Sequence, residues 1–304
     1  VLTQPLEAPL TSNVMSRVTI ASSGLLAGAV MALPSSPIGM YFSLPVVQTD
    51  YGTHAALADA FLANGILFPH FLWHVIVIAV HTAVPWLSWM DAAQIVVIAS
   101  YALQGAVVAW IVTTMVGTPR HAAHAVGVAV LALACVIAAP VTIFTWRQYA
   151  LYFGYLNMES YASPTQALLK PLALLVFVFT ARGLVSGGSL RDGIRLFTTV
   201  VLSALVKPSL LICLLPATCM LAAWCWLGGT RHHLVYLAAA VVVPSVAILT
   251  WQYLFYFGSG ERSAIVFAPF LVMGYYATGL GPKFLMSIVL PLTVLLVYGR
   301  QVLA

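Results

Sequence analysis

Charged residues are scarce in this chain, making up 6% of its 304 residues against roughly 25% in an average soluble domain. So few charges cannot cover the surface of a soluble protein of this length. Their scarcity therefore excludes a cytosolic enzyme, a nucleic-acid binder and a disordered chain. Hydrophobic residues make up 62% of the chain, and the mean hydropathy is +1.03. These values indicate an all-α polytopic membrane protein.

Cysteine is also rare, and its pattern excludes two kinds of site. All four cysteines lie inside apolar runs and none belongs to a CxxC motif, which argues against a disulfide framework and a zinc site. The net charge of +5 comes from only 12 basic residues, so it fits loop anchoring at a membrane better than binding of nucleic acid. Because the chain starts at Val1, we expect residues 1–304 to be a single transmembrane domain within a longer protein.

Long apolar runs predict a bundle of about eight transmembrane helices. The strongest runs are Val18–Pro34, Ala92–Gly117, Ala122–Phe144, Leu168–Val185, Ser209–Leu227, Leu234–Phe255 and Lys283–Tyr298. Leu196–Val206 is only half as long as a span and follows a predicted turn at Ser186–Arg195. It ends at Lys207-Pro208, where proline should break the helix. We therefore interpret Leu196–Val206 and Ser209–Leu227 as a buckled pair of helices.

The distribution of arginine decides how the apolar runs are oriented. If Phe71–Leu87 lies along the outer surface and does not cross, seven arginines fall on the cytoplasmic side, as the positive-inside rule requires. This arrangement predicts a cytoplasmic N-terminus and outer loops at about 39–91, 145–166 and 258–282. It also predicts two amphipathic helices on the membrane surface in the first outer loop, one over Thr53–Asn64 and one over Phe71–Leu87.

The first outer loop carries the most informative polar residues, Asp50 and His54. Asp50 closely follows the first span, and His54 is four residues later, so both can share one helix face if the helix starts early. A carboxylate there can act as a general base or hold a cation. Alternatively, Asp50 is only a helix cap, with Thr53 as the competing cap.

Other polar residues add candidates for binding. Lys170 and Lys207 each precede a proline within apolar sequence. A lysine in such a position usually faces a cavity or a partner. Either lysine could bind a lipid phosphate or reach the headgroups from the end of a span. Glu159 lies in the aromatic-rich second outer loop, where it is either functional or simply solvated. Arg262 adds positive charge on the outer side. His70 and His74 have metal-compatible spacing, but they also suit a position at the membrane interface.

The order of these features resembles the GT-C superfamily of integral-membrane glycosyltransferases. The resemblance is carried by the strings Thr49-Asp50-Tyr51 with His54, Phe68-Pro69-His70-Phe71-Leu72-Trp73, Ser163-Pro164-Thr165 before Lys170-Pro171, and Leu205-Val206-Lys207-Pro208-Ser209. It covers most of the chain in pattern, whereas no single motif is specific. It implies a GT-C-like bundle in which a sugar is moved from a polyprenyl-phosphate donor to an acceptor hydroxyl on the outer face, with inversion.

The resemblance also implies roles for individual residues. Asp50 matches the acidic residue that acts as the catalytic base, and some relatives bind a divalent cation there. Tyr51 stands where those relatives have a second acid. We expect substrate to be bound by Tyr51, His54, Glu159, Lys170, Lys207 and Arg262. The expected partners are membrane lipid and the lipid-linked sugar, with no nucleic acid, and the expected location is the bacterial inner membrane.

Two other functions stay open. One is a lipid-linked polysaccharide polymerase or ligase of a different fold, which would rely on outer-loop arginine and histidine. The other is a transporter of lipid or solute, for which repeated halves with paired broken helices would be typical. Only one broken pair is visible in the sequence, and none of the seven acids lies in the middle of a predicted span.

Overall fold

The computed structural model describes residues 14–34, 36, 50–65, 68–137, 163–185, 187–229 and 232–258, with single positions at 271, 281, 285, 288, 292, 293, 296 and 297. These residues are almost entirely helical and contain no strand. The chain divides into two compact units, of which Val1–Ile137 and Ser163–Arg262 form the first, and Ala138–Ala162 and Ser263–Ala304 the second. Every helix and contact below belongs to the first unit.

The first unit is a succession of helices of unequal length. They are α1 (Val14–Ala32), α2 (Asp50–Asn64), α3 (Leu72–Ala83), α4 (Trp89–Val116), α5 (Ala122–Ile137), α6 (Pro164–Val185), α7 (Leu190–Val206), α8 (Ser209–Leu227), α9 (His232–Leu237) and α10 (Val243–Phe257). A π-helical turn, Ala238–Val242, joins α9 to α10. The prediction of an all-helical protein is thus confirmed for the described residues.

Among the described residues, five helical segments are long and apolar enough to cross a membrane, namely α1, α4, α6, α8 and the continuous segment His233–Tyr256. They support the class of polytopic membrane protein. In contrast, α3 has 12 residues and is therefore only about 18 Å long, which is short of the roughly 30 Å hydrocarbon layer. Two of the eight predicted spans, Ala122–Phe144 and Lys283–Tyr298, lie partly or mostly outside the described residues.

Small residues let α1 and α4 approach closely. Gly24 and Gly28, spaced as in a GxxxG motif, face Ala102, whose carbonyl oxygen would be 2.8 Å from a Cβ at Gly24. On the opposite helix, a Cβ at Gly105 would be 2.6 Å from the Cβ of Ala27. Such close approach is how membrane helices gain packing energy where lipid removes most of the hydrophobic driving force.

The helix break predicted at Lys207-Pro208 is present, with α7 ending at Val206 and α8 beginning at Ser209. The start of α7 differs from the prediction. It begins at Leu190, inside the predicted turn, because the Ser189 hydroxyl accepts a hydrogen bond from the backbone N–H of Asp192 at 3.2 Å and so caps the helix. The apolar run begins only at Leu196, because the first turn of α7 is polar. Hydropathy alone therefore misses the start of this helix.

The short helices α2 and α3 pack on each other and on longer helices, with α2 against α4 and α6, and α3 against α4 and α7. An apolar cluster lies where α3, α6, α7 and α8 meet. Its buried members are Leu169, Leu172 and Val206, with Leu72, Leu168, Leu202 and Leu210 packed against them. This cluster fixes the beginning of α3 relative to the break between α7 and α8.

Candidate functional site

Asp50 and His54 lie on one face at the beginning of α2. The helix starts at Asp50, so Thr53 lies within the helix and is not its N-cap. Because the helix starts this early, Asp50 and His54 both belong to it and lie one turn apart. The sequence predicted a shared face only on this condition. The Asp50 side chain is exposed and the His54 side chain is partly buried.

His54 contacts His74 of α3 through its ring. The Nδ1 atom of His54 and the Nε2 atom of His74 are 3.0 Å apart, which is hydrogen-bonding distance. His74 is fully buried, as is Trp73, whose ring meets both histidines edge to face at centroid distances of 5.7 and 5.4 Å. The ring of Phe68 also contacts His74, with the centroids 5.7 Å apart. The two imidazoles are thus held in an aromatic enclosure.

Burial keeps the histidines of this site neutral. It lowers the pKa of His54 to about 4, with repulsion from His70 and Lys207 adding to the effect. Burial likewise lowers the pKa of His74 to about 4, with His54 and His70 adding repulsion, while the backbone carbonyl of His70 acts in the opposite direction. The pKa of His70 is lowered by burial and by Lys207.

Lys207 extends from the break between α7 and α8 towards the beginning of α6. Its Nζ atom donates a hydrogen bond to the Ser163 hydroxyl oxygen at 3.3 Å, and Ser163 is in turn 3.1 Å from the Thr165 hydroxyl. Burial lowers the pKa of the Lys207 amine, and the negative charge of Asp50 opposes this shift. Asp50 therefore lies within electrostatic range of Lys207.

No carboxylate of the described residues comes within ion-pair distance of the Lys207 amine. The amine instead faces the N-terminal end of α6, whose dipole is positive. Two positive features then lie side by side, and none of the carboxylates in the described ranges forms an ion pair with the amine. Such a place is suited to an anion, and phosphate is a common ligand of helix N-termini.

Gln252 of α10 connects two parts of the site, the segment before His70 and the end of α7. Its Nε2 atom donates to the Pro69 carbonyl at 2.8 Å and to the Ala204 carbonyl at 3.0 Å. Ala204 would normally accept from the residue four positions later, but this is Pro208, which has no N–H. Gln252 supplies the missing donor and joins the segment before His70 to the end of α7. Sequence reasoning did not identify Gln252, although a carboxamide in an apolar run was a usable signal.

The remaining predicted site residues are distributed differently. The Tyr51 side chain is fully buried in the core. Lys170, within α6, has its amine 5.2 Å from the ring centroid of Tyr101, which is a cation–π distance. Glu159 and Arg262 lie outside the described residues. Of the predicted residues, the structure therefore brings together Asp50, His54, His70, His74 and Lys207, and it adds Ser163 and Gln252.

The described residues do not form a metal centre, since no three His, Cys, Asp or Glu side chains among them are grouped to hold an ion. The ring nitrogens through which His54 and His74 could share a metal face each other at hydrogen-bonding distance.

Comparison with protein families, with curated proteins and with solved structures finds no match to this chain. The site combines an exposed carboxylate, an amine that has no ion-pair partner among the described residues, and two neutral imidazoles. A carboxylate can accept a proton, an ammonium can bind a phosphate, and a neutral imidazole can exchange hydrogen bonds with hydroxyl groups.

Proposed function

We propose that this chain is a GT-C-type glycosyltransferase that moves a sugar from a polyprenyl-phosphate donor to an acceptor hydroxyl. The observation that carries the proposal is the convergence of Lys207 and Asp50. The amine of Lys207 lies at the N-terminal end of α6, no carboxylate of the described part of the chain forms an ion pair with it, and Asp50 is within its electrostatic range. An anionic substrate bound by Lys207 would therefore lie within electrostatic range of a carboxylate that can serve as a base.

In the proposed reaction, Asp50 takes the proton of the acceptor hydroxyl as its oxygen attacks the anomeric carbon of the sugar. The bond between that carbon and the phosphate oxygen breaks, and the lipid phosphate leaves with the electron pair. Lys207 and the N-terminal end of α6 stabilise the negative charge on this leaving group. Attack from the face opposite to the phosphate gives inversion at the anomeric carbon.

The proposal includes the membrane arrangement that the arginine distribution predicts. About eight helices cross, the N-terminus is cytoplasmic, and α2 and α3 lie on the outer surface of a bacterial inner membrane. The 12-residue length of α3 supports a surface position, because a helix of that length cannot cross alone. The short length of α2, 15 residues, agrees with the same position.

The decisive test uses purified full-length chain and a panel of radiolabelled polyprenyl-phosphate sugars. Release of labelled sugar to water or to acceptors in a membrane extract measures transfer, and donor binding is measured separately. We expect Asp50→Asn to lower transfer by about 10²–10⁴-fold while donor binding is kept. Lys207→Ala should weaken donor binding, and Lys207→Arg should restore part of it.

Asp59→Asn is the matched control, since Asp59 is an exposed aspartate on the same helix. It should leave transfer and binding unchanged. Full transfer activity in Asp50→Asn would remove Asp50 as the base. Recovery of every labelled donor intact after incubation with wild-type protein would contradict the enzyme and favour the transporter alternative.

A further inference from the structure

A cavity of about 380 Å³ lies between the beginning of α7 and the π-helical turn that joins α9 to α10. Its lining comes from two stretches of chain, residues 187–197 on one side and residues 235–240 on the other. A volume of this size is typical of ligand pockets. Neither stretch contributes a residue to the site around Lys207, so the cavity is a separate feature of the molecule.

Small residues keep the cavity open. Five of the residues that line it have no side chain or a single methyl group, namely Gly187, Gly188, Gly193, Ala239 and Ala240. A Cβ atom at Gly187 would meet nothing within 4 Å, so the space beside it is empty. The neighbouring wall is Tyr236, which is buried and donates a hydrogen bond to the Phe179 carbonyl at 2.9 Å. The cavity therefore has a fixed wall and unfilled space.

The part of α7 that lines the cavity presents an exposed apolar face. Leu190, Ile194 and Phe197 follow one another at spacings of four and three residues, so they lie on one face of the helix. All three line the cavity and all three are exposed. Because the described residues include five helical segments able to cross a membrane, lipid chains are the surroundings that such a face meets.

Arginines flank this apolar face. Arg191 and Arg195 directly follow Leu190 and Ile194 and lie one turn apart. Arg195 pairs with the buried Asp192 at 3.4 Å, whereas Arg191 is exposed and no carboxylate in the described ranges lies within ion-pair distance of it. Arg191 is also in the first turn of α7, where the helix dipole is positive and disfavours a cation. The rim of the cavity is therefore suited to an anion.

The cavity and the Lys207 site lie at opposite ends of α6. This helix has 22 residues and is about 33 Å long, which is enough to cross the roughly 30 Å hydrocarbon layer. Ser163, which accepts the hydrogen bond from Lys207, precedes α6, and Gly187 follows its last residue by two positions. The arginine distribution predicts that the end with the cavity is cytoplasmic, where the lipid leaflet carries negative charge.

We propose that this cavity binds one anionic phospholipid of the cytoplasmic leaflet. Arg191 contacts the phosphate of the headgroup, and an acyl chain lies along Leu190, Ile194 and Phe197 into the cavity. A free phosphate would leave this apolar lining uncovered, and a zwitterionic lipid would gain less from the arginine. The inference uses neither Asp50 nor Lys207, so it is independent of the proposed sugar transfer.

The preference for anionic lipid is tested on purified full-length chain in a non-ionic detergent. Native mass spectrometry counts the bound lipid as phosphatidylglycerol or phosphatidylcholine with the same acyl chains is added. We expect wild-type protein to bind one phosphatidylglycerol more tightly than phosphatidylcholine. Arg191→Gln should weaken phosphatidylglycerol binding by roughly fivefold, the effect of one arginine at the membrane surface, and leave phosphatidylcholine binding unchanged. Arg120→Gln, at an exposed arginine on the same predicted face, is the matched control and should bind both lipids like the wild type.

The role of the cavity is tested at two exposed alanines of the π-helical turn, of which Ala239 lines the cavity and Ala238 does not. Ala239→Leu should weaken binding of both lipids by roughly fourfold or more, the effect of displacing at least one methylene group of the acyl chain. Ala238→Leu should bind both lipids like the wild type. sn-Glycerol 3-phosphate, which has no acyl chain, should not displace bound phosphatidylglycerol.

Several results would overturn the inference. These are equal binding of the two lipids by wild-type protein, equal phosphatidylglycerol affinities in Arg191→Gln and Arg120→Gln, and equal lipid affinities in Ala239→Leu and Ala238→Leu. Displacement by sn-glycerol 3-phosphate would show a site for small anions and would contradict it too.

Lys207→Ala separates this site from the proposed donor site. It should keep the preference for phosphatidylglycerol while donor binding is weakened. If Lys207→Ala abolishes the preference and Arg191→Gln does not, the lipid binds at the donor site and the inference fails. If wild-type protein shows the preference but transfers no sugar, the proposed function fails and the lipid site stands.

Discussion

Acidification should destabilise this protein through the buried pair of histidines. In the folded state the pKa of His74 is lowered from 6.5 to about 4, mainly by burial, and that of His54 is lowered equally. A histidine with a lowered folded pKa binds fewer protons than it does in the unfolded chain between these two values. Stability is therefore complete above about pH 6.5 and is lost as the pH falls towards about 4.

The size of the effect follows from the shift. One pKa unit corresponds to about 1.4 kcal/mol, so one such histidine lowers the free energy of unfolding by about 2 kcal/mol at about pH 5 relative to neutral pH. The second histidine adds a similar amount, because both rings stay mostly neutral in the folded state at about pH 5. Repulsion from His70 and Lys207 adds to the lowering of the His54 pKa, and burial and Lys207 lower the pKa of His70 as well. The negative charge of Asp50 opposes the lowering of the Lys207 pKa.

The assay is thermal unfolding in a non-ionic detergent, followed by tryptophan fluorescence from about pH 7.5 to about pH 5. We expect the wild-type midpoint to fall by several degrees. His74→Phe removes one titrating ring, so the fall should be clearly smaller. The unfolding midpoint of His124→Phe should fall as far as that of the wild type. An unchanged wild-type midpoint at about pH 5, or an equal fall in His74→Phe, would refute the reasoning.

Two further perturbations test the packing that positions the site. Gln252→Leu should lower the free energy of unfolding by about 1–3 kcal/mol, because the Pro69 and Ala204 carbonyls lose their donor; unchanged stability in a chemical unfolding assay would show that neither bond matters. Gly105→Ala should lower the free energy of unfolding by about 1–3 kcal/mol, because the added methyl group clashes with Ala27. Gly127→Ala is the control and should not destabilise the protein, because nothing lies within 4 Å of the added methyl group. Equal unfolding midpoints for the two variants would contradict the close packing of α1 on α4.

Local features of the fold were predictable because local chemistry determines them. The break at Lys207-Pro208 follows from the missing N–H of proline, and the spacing of Asp50 and His54 fixes their relative direction once the helix starts early. The start of α7 was missed because a polar first turn hides a helix from a hydropathy reading, although Ser189 offered a capping signal.

Contacts between distant residues were not predictable in this way. The contact of His54 with His74 depends on the path of the chain between α2 and α3, and the bond from Gln252 to Pro69 spans 183 positions in sequence. No periodicity in the sequence encodes either one. The position of Lys207 beside Ser163 likewise depends on how α6 packs against α7.

The polar groups of the site share one structural property, which is that most of them lie at the boundaries of helices. Asp50 is the first residue of α2, Ser163 precedes α6, and Lys207 separates α7 from α8. A helix boundary leaves backbone N–H or C=O groups that need partners, so polar side chains and an anionic substrate are tolerated there even within an apolar bundle. A proton-coupled transporter would instead be expected to carry acids within its spans, whereas Asp50 is exposed and belongs to a helix too short to cross. This difference is the reason to test sugar transfer before transport.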